Sequence, residues 1–218
     1  MWTEDARPRL LDLFCGAGGA AMGYHRAGID VVGVDIKPQR NYPFRFVLSD
    51  ALDYCALHGR EYDALHFSPP CQGYSRSKNL TKNDYPKLID QSRFVANELG
   101  MTYVIENVPG APLDNPTLLC GLMFGLRTYR HRLFETSFRV PFSLHAPHHA
   151  EQDKCYGKNR EREFAQVVGH IANVPRARLA MGIDWMTRDE LAEAIPPAYT
   201  EYIGGYLLAA VRERPHVD

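Results

Sequence analysis

Between Leu10 and Asp35 the sequence spells one complete strand–turn–helix–strand unit, and nothing else in the chain limits the fold as strongly. Leu10-Leu11-Asp12-Leu13-Phe14 is a short apolar run compatible with a buried parallel strand. Cys15-Gly16-Ala17-Gly18-Gly19 interrupts it, Ala20 to Ala27 reads as a helix closed by Gly28, and Ile29-Asp30-Val31-Val32-Gly33-Val34-Asp35 is a β-branched strand ending in an acid. In such a βαβ unit the glycines let a ligand approach the backbone at the helix N-terminus, and the terminal acid bonds ribose hydroxyls. The spacing from turn to Asp35, about 20 residues, points to nucleoside binding. It does not choose between NAD and another adenosine cofactor. The phosphate signature GxGxxG is absent, since after Gly16, Gly18 and Gly19 the next glycine is Gly23. That pattern leans away from a pyrophosphate.

The same reading extends along the chain. Phe44 to Leu48 is a third strand; Asp50, just beyond it, either bonds an adenine amino group or caps a helix over Ala51 to Leu57. Tyr62 to Phe67 is a fourth strand, and Pro69-Pro70 must stop it by fixing two φ angles and removing two donors. Cys71 follows on that stiff platform, either a candidate nucleophile or a half-buried thiol. Residues 74–84 are polar, basic and without periodicity, so a loop is expected, and Tyr85 to Leu99 reads as an amphipathic helix. Met101 to Ile105 is a fifth strand running into Glu106-Asn107-Val108. Parallel sheets gather their chemistry at the C-terminal strand ends, so Gly16–Gly19, Asp35, Asp50, Cys71 and Glu106 should rim one crevice. Residues 111–126 are expected to form an irregular connection with a short helix. Arg130 and Arg132 enter a strand and, by alternation, share one face, suited to a phosphate or a base carbonyl unless they merely guard a sheet edge. Thr187-Arg188-Asp189-Glu190 is a capping-box pattern opening a helix to Ile195, Pro196-Pro197 ends it, and Tyr199, Ile203, Tyr206, Leu207 and Val211 form a core stripe on a last helix.

The chain of 218 residues has room for one large domain. No apolar run reaches the roughly 18 residues of a membrane helix, and Met1 to Pro8 lacks a secretion pattern, so an intracellular protein without membrane contact is expected. Cys15, Cys55, Cys71, Cys120 and Cys155 are scattered without CxxC pairs, which favours reduced thiols. Residues 1–120 carry a net charge of −2, residues 121–180 carry +5 and residues 181–218 carry −4. A basic middle is a footprint for a polyanion, or a solvated face. Lys154, Lys158, Arg160 and Arg162, with Tyr156 between them, suit the first reading. His145, His148, His149 and Cys155 lie in the same region, but their spacing matches no standard zinc pattern, and no metal is expected.

With these residues in view, the chain resembles the cytosine-C5 DNA methyltransferases, enzymes that use S-adenosylmethionine. Asp12-Leu13-Phe14-Cys15-Gly16-Ala17-Gly18-Gly19 looks like the first cofactor motif, and Asp35 and Asp50 look like the ribose- and adenine-binding acids. Ser68-Pro69-Pro70-Cys71-Gln72 looks like the catalytic loop, Glu106-Asn107-Val108 the ENV motif, and Arg130-His131-Arg132 the paired-arginine motif. Ala177-Arg178-Leu179 and Ala194-Ile195-Pro196-Pro197 are similar to the last two motifs. The resemblance implies an α/β, Rossmann-like methyltransferase fold with a mostly parallel sheet and helices on both faces. It implies a catalytic domain over 1–135 and 176–218, and a reduced, basic target-recognition segment over 136–175.

The resemblance also assigns roles. Cys71, Glu106, Arg130 and Arg132 would be catalytic. Phe14 to Gly19, Asp35, Ile36, Asp50, Ala51 and Pro70 would hold S-adenosylmethionine, leaving S-adenosylhomocysteine as product. Pro70, Gln72, Ser75, Asn107, Arg132, Lys158 and Arg160 would hold the substrate. Cys71 would attack C6 of a flipped-out cytosine, Glu106 would need a raised pKa to donate a proton at N3, and Arg132 would hold O2. Double-stranded DNA is the expected partner of a monomer, in a prokaryote or a phage-infected host, with restriction-modification or phage context. The chain departs from the family at Thr128, where Gln is usual, and at Ala192-Glu193, where Gly-Asn is usual. The short recognition segment implies short or relaxed specificity, or a partner that supplies it. Single-stranded DNA, RNA, a cytidine nucleotide and a non-catalytic binder are the alternatives.

Overall fold

The computed structural model describes residues 7–71, 87–141, 145, 147–148, 152–153 and 164–213. Five parallel strands appear in the expected places: β1 (Arg9–Leu13), β2 (Asp30–Asp35), β3 (Arg45–Leu48), β4 (Ala64–Phe67) and β5 (Thr102–Asn107). Two further strands, β6 (Thr117–Leu119) and β7 (Arg132–Thr136), complete a seven-stranded sheet of order β3-β2-β1-β4-β5-β7-β6. β7 runs antiparallel to both its neighbours. The fold is thus the mostly parallel α/β architecture expected. The strand order reverses between β1 and β4, and the crevice outside their C-terminal ends is where such sheets bind ligands.

Alternation along the strands sends side chains to two helical layers. Leu10 joins α1 (Gly19–Arg26) and α6 (Pro197–Glu213), with Tyr24, Tyr199, Ile203 and Leu207, in one apolar cluster. Leu11, Leu13, Leu65, Phe67 and Ile105 join α2 (Ala51–His58) and α3 (Ile89–Glu98) in the other. A third cluster carries residues 164–194 onto the glycine turn. In it Val167 and Ile171 pack with α4 (Val174–Met181), α5 (Arg188–Glu193) and Ala17. The Trp185 indole N–H donates to Ala17 O at 2.9 Å, fastening that layer to the end of β1. The expected capping box is present, with Glu190 accepting from the Thr187 N–H at 2.7 Å.

Four local expectations change. The helix read from Tyr85 begins at Ile89, with Lys87 and Leu88 outside it. The fifth strand runs on through Glu106 and Asn107, because β7 extends the ladder and pairs Glu106 with Phe134 and Asn107 with Leu133. The connection over 111–126 contains a strand as well as the short helical turn Gly121–Phe124. Finally, Arg130 is not in β7: it sits at φ 37°, in the left-handed region, so alternation does not place it beside Arg132. β7 is secured from behind by Glu135. Both of its carboxylate oxygens accept from Arg93 of α3, at 2.7 and 2.8 Å, in the bidentate geometry that is strongest for this pair. A further small pair, β8 (Gln152–Asp153) with β9 (Phe164–Ala165), is parallel and separate from the sheet.

Candidate active site

Each parallel strand delivers one group to the crevice. At the end of β1, Phe14 takes φ 58° and Gly16 φ 49°, turning the chain across the sheet. The Gly16 N–H donates to Asp35 Oδ2 at 3.1 Å, and the Lys37 N–H to Asp35 Oδ1 at 2.9 Å. Asp35 is therefore aimed by backbone donors, with lone pairs left on both oxygens. A Cβ on Gly16 would meet nothing within 4 Å, so this glycine faces open space. Gly18 and Gly19 differ: a Cβ there would meet Pro43 at 2.7 Å and Ile195 O at 2.4 Å. Their missing side chains serve packing of the turn, and only Gly16 offers the bare approach expected of all three. Ile36, 68% exposed, lies beside Asp35 as an apolar surface next to a ribose-type acid.

Asp50 does what a helix cap does. Its Oδ1 accepts from the Leu52 and Asp53 N–H groups at 2.9 and 3.1 Å. Both sequence readings remain compatible, since Oδ2 takes no part in the cap. Ala51 is buried in the α2 layer. Asp12, which lies within the first motif, is wholly buried; Tyr42 donates to its Oδ2 at 3.2 Å, and burial holds its carboxyl well above the usual range.

The other half of the crevice gathers Cys71, Glu106 and Arg132. Glu106 is 5% exposed, and burial raises its pKa against the opposing pull of Arg132, a Ser68 hydrogen bond and Arg130. Arg132 Nε lies 2.9 Å from Glu106 Oε1, yet Oε1 has no hydrogen bond of acceptable geometry among the described residues. The contact is an ion pair by distance in which the N–H is not aimed at the oxygen. That leaves a buried carboxyl oxygen without a hydrogen bond from the described residues. Cys71 is half-buried; burial pushes its thiol up, Arg132 pulls it down and Glu106 pushes it up. A preformed thiolate is therefore not favoured before a ligand arrives.

Two proposed contacts take other roles. Arg130 is buried, and its guanidinium donates to Ala192 O and Ala194 O, each at 2.7 Å, and also to Val167 O. With its donors committed to backbone carbonyls it fastens β7's entry to the layer over 164–194, and is not a contact for a base. Asn107 is 1% exposed; its amide donates to Pro69 O at 2.9 Å and its Oδ1 accepts from Val108. It positions the Pro-Pro-Cys turn from the neighbouring strand and is shielded from substrate. Pro70 is half-buried at that turn. Glu193, at the departure from the family pattern, is exposed, while Thr128 is buried. Gln72, Ser75, Lys158 and Arg160, with Lys154, Tyr156 and Arg162, lie outside the described residues.

A buried chain reaches Glu106 that sequence reading did not single out. Tyr24 of α1 lies 2.9 Å from His66 Nδ1, His66 Nε2 lies 2.9 Å from Ser68 Oγ, and Ser68 bonds Glu106. Burial lowers His66 to about 3, so the ring is neutral. The parity of the strands was the available signal, because Asp12 and His66 are register partners and Glu106 continues that face on β5. A cavity of about 280 Å³ opens beside Arg132, walled by Tyr129, His131, His148, Gln166 and Val168.

A family model described as C-5 cytosine-specific DNA methylase matches residues 9–116, the region from β1 through Cys71 and Glu106. The type II methyltransferase M.XorII of Xanthomonas oryzae pv. oryzae is 34% identical over 122 residues, covering 48% of this chain and 29% of that protein. The type II methyltransferase M.AquIA of a Picosynechococcus species is 28% identical over 121 residues, covering 47% of this chain and 49% of that protein. The chain thus spans between 29% and 49% of the length of these curated relatives. Among solved structures, the Entamoeba histolytica methyltransferase EhMeth aligns with a TM-score of 0.63 at 14% identity, covering 96% of this chain and 100% of that one. This last likeness is one of fold.

Proposed function

Because the chain belongs to the C-5 cytosine-specific DNA methylase family, we propose that it transfers a methyl group from S-adenosylmethionine to C5 of a cytosine in DNA, through a covalent bond between Cys71 and C6. The observation that carries this reading is the placement of Cys71 with a buried Glu106 that faces Arg132 and whose Oε1 has no hydrogen bond from the described residues. The cofactor half fits as well: Gly16 faces open space, Asp35 is aimed by two backbone donors, and exposed Ile36 offers an apolar face for adenine.

When bound, the cofactor supplies an electrophilic methyl on a sulfonium, and cytosine C5 is too weak a nucleophile to take it unaided. Cys71 gives its proton to solvent and its sulfur bonds C6, which turns C5 into an enamine carbon. Glu106, whose neutral acid form burial favours, gives its proton to N3 so that the ring accepts the electron pair. Arg132 holds O2 and, through its pairing, orients Glu106. Once C5 is methylated, loss of the C5 proton to solvent restores the C5–C6 double bond and expels Cys71 as thiolate, while N3 returns its proton to Glu106. Since C6 is out of reach inside a duplex, the base is flipped out of the stack. Ser68 and Asn107 position this machinery without touching the ring.

Tritiated S-adenosylmethionine offered with duplex DNA, single-stranded DNA, RNA and dCMP tests the reading. Label at C5 in duplex DNA, absent with Cys71→Ser, is the expected result, together with a stable adduct on DNA containing 5-fluorocytosine. Transfer confined to RNA or dCMP would replace the substrate, and cofactor binding without transfer to any of the four would replace the enzyme with a binding protein.

A further inference from the structure

Away from the crevice, four side chains from two separate stretches turn their ligand atoms toward one point. Cys120 follows β6, His131 precedes β7, and His145 and His148 belong to the segment beyond the sheet. His131 Nε2 lies 2.9 Å from His145 Nε2, which lies 3.1 Å from His148 Nε2, which lies 3.4 Å from Cys120 Sγ. All four ligand atoms fall within 4.8 Å of one another. We propose that Cys120, His131, His145 and His148 bind a structural zinc ion that fastens the segment after β7 to the edge of the sheet.

Hydrogen bonding alone does not account for this arrangement. Each neutral imidazole nitrogen carries either a proton or one lone pair. His145 Nε2 lies between two other ring nitrogens, so without a metal a single proton or a single lone pair must serve both neighbours. Protonating the rings adds donors and no acceptors. A cation accepting four lone pairs resolves the convergence. Tetrahedral zinc, with bonds of about 2.0–2.1 Å to nitrogen and 2.3 Å to sulfur, holds its ligands about 3.3–3.6 Å apart, close to the neighbouring separations here.

The donor set identifies the ion and its role. Three imidazoles and one thiol suit zinc better than calcium or magnesium, which require oxygen. Four protein ligands leave no open position, which marks a structural site and not a catalytic one. Aromatic rings pack against the cluster: Tyr129 stacks on His148 at 3.6 Å and 5°, and Phe164 stacks on Tyr129 at 4.8 Å. Cys120 is wholly buried, and binding a metal would displace its thiol proton to solvent. The local pattern His145-x2-His148 was visible in the sequence. The two partners that complete it come from the β6–β7 hairpin, and the histidine and cysteine suggested with it, His149 and Cys155, lie outside the described residues. The consequence reaches the crevice, because His131 directly precedes Arg132 and its carbonyl accepts from that guanidinium at 2.9 Å.

The full chain, expressed with zinc and passed through a desalting column, should hold one zinc per chain by plasma mass spectrometry. Cobalt exchanged into the site should give visible bands of tetrahedral geometry and a thiolate-to-cobalt band in the near ultraviolet. Cys120→Ser should remove the near-ultraviolet band, and His145→Ala with His148→Ala should lower bound zinc at least tenfold while circular dichroism shows the chain still folded. Folded wild-type protein that takes up neither ion overturns the proposal. So does zinc retained in full by the double histidine variant.

Discussion

The two halves of the crevice are built by different means. On the cofactor side, Asp35 and Asp50 are each held by N–H groups within a few residues of a strand end, at 2.9–3.1 Å. Neither acid has to be buried to be aimed. On the other side, Cys71, Glu106 and Arg132 come from separate segments, and burial works against the charged form of both Cys71 and Glu106. Backbone donors preorganise the first half, whereas the second stores an electrostatic cost that, on the proposed reading, is released when the base joins it. Substitutions in the first should therefore weaken binding, and substitutions in the second should slow turnover.

The largest effect is expected at Glu106. Glu106→Gln should lower kcat by about 10²–10⁴, the usual worth of a positioned proton donor, with cofactor affinity unchanged. The pH profile sharpens the point. On the proposed mechanism the active form needs Cys71 as thiolate and Glu106 as acid; burial raises both groups, and a carboxylic acid is ordinarily the stronger acid of the two. Below the Glu106 pKa, kcat/KM should rise with pH as thiolate accumulates. Between the two pKa values the gain in thiolate cancels the loss of protonated Glu106, so a plateau is expected. Above the Cys71 pKa the rate should fall. In Glu106→Gln the falling limb should disappear, leaving a rise to a plateau. A falling limb that survives the substitution would assign it to another group. The same raised pKa affects stability: Glu106 binds its proton more tightly in the folded than in the unfolded chain. Stability should thus decline as pH climbs from the ordinary carboxylate range through the folded value.

The two arginines separate the halves further. Arg130→Ala leaves the carbonyls of Val167, Ala192 and Ala194 without their donor, and should cost about 3 kcal/mol, or about 8 °C in Tm for a chain of this size. Arg132→Ala should cost less stability, because Glu106 can take a proton once its partner is gone, but more turnover. Thermal melts beside steady-state rates check both. If Arg132→Ala melts lower than Arg130→Ala, the division of labour between them is wrong.

What could be read in advance followed from locality. Each parallel strand is an apolar run ending at its own turn residue, so β1 to β5 and the acids and thiol at their ends were legible from adjacent positions. The antiparallel edge was not. Thr117–Leu119 is too short to show a period, and its strand character comes from pairing with β7. Arg130 looked like the twin of Arg132 because alternation assumes an extended chain, whereas φ 37° turns it toward carbonyls far along the sequence. The polar stripe Asp12–His66–Glu106 needed the strand register, and the Cys120–His131–His145–His148 cluster needed the β6–β7 hairpin to close.

Asp50 offers the smallest and finest test, because there one carboxylate serves both the fold and, on the proposed reading, adenine. Its Oδ1 caps α2 through Leu52 and Asp53, so Asp50→Ala should lose about 1 kcal/mol of stability. Asparagine is an equally good cap and should lose almost none. Its amide oxygen must then occupy the capping position, which puts an NH₂ group where Oδ2 was. A donor would face the adenine amino group, and S-adenosylmethionine should bind about fivefold more weakly, the worth of one hydrogen bond of about 1 kcal/mol. Calorimetric titration of Asp50→Asn beside its melting curve reads the two effects apart. Unchanged affinity with an unchanged melt would reduce Asp50 to a cap and leave Asp35 as the acid that holds the nucleoside.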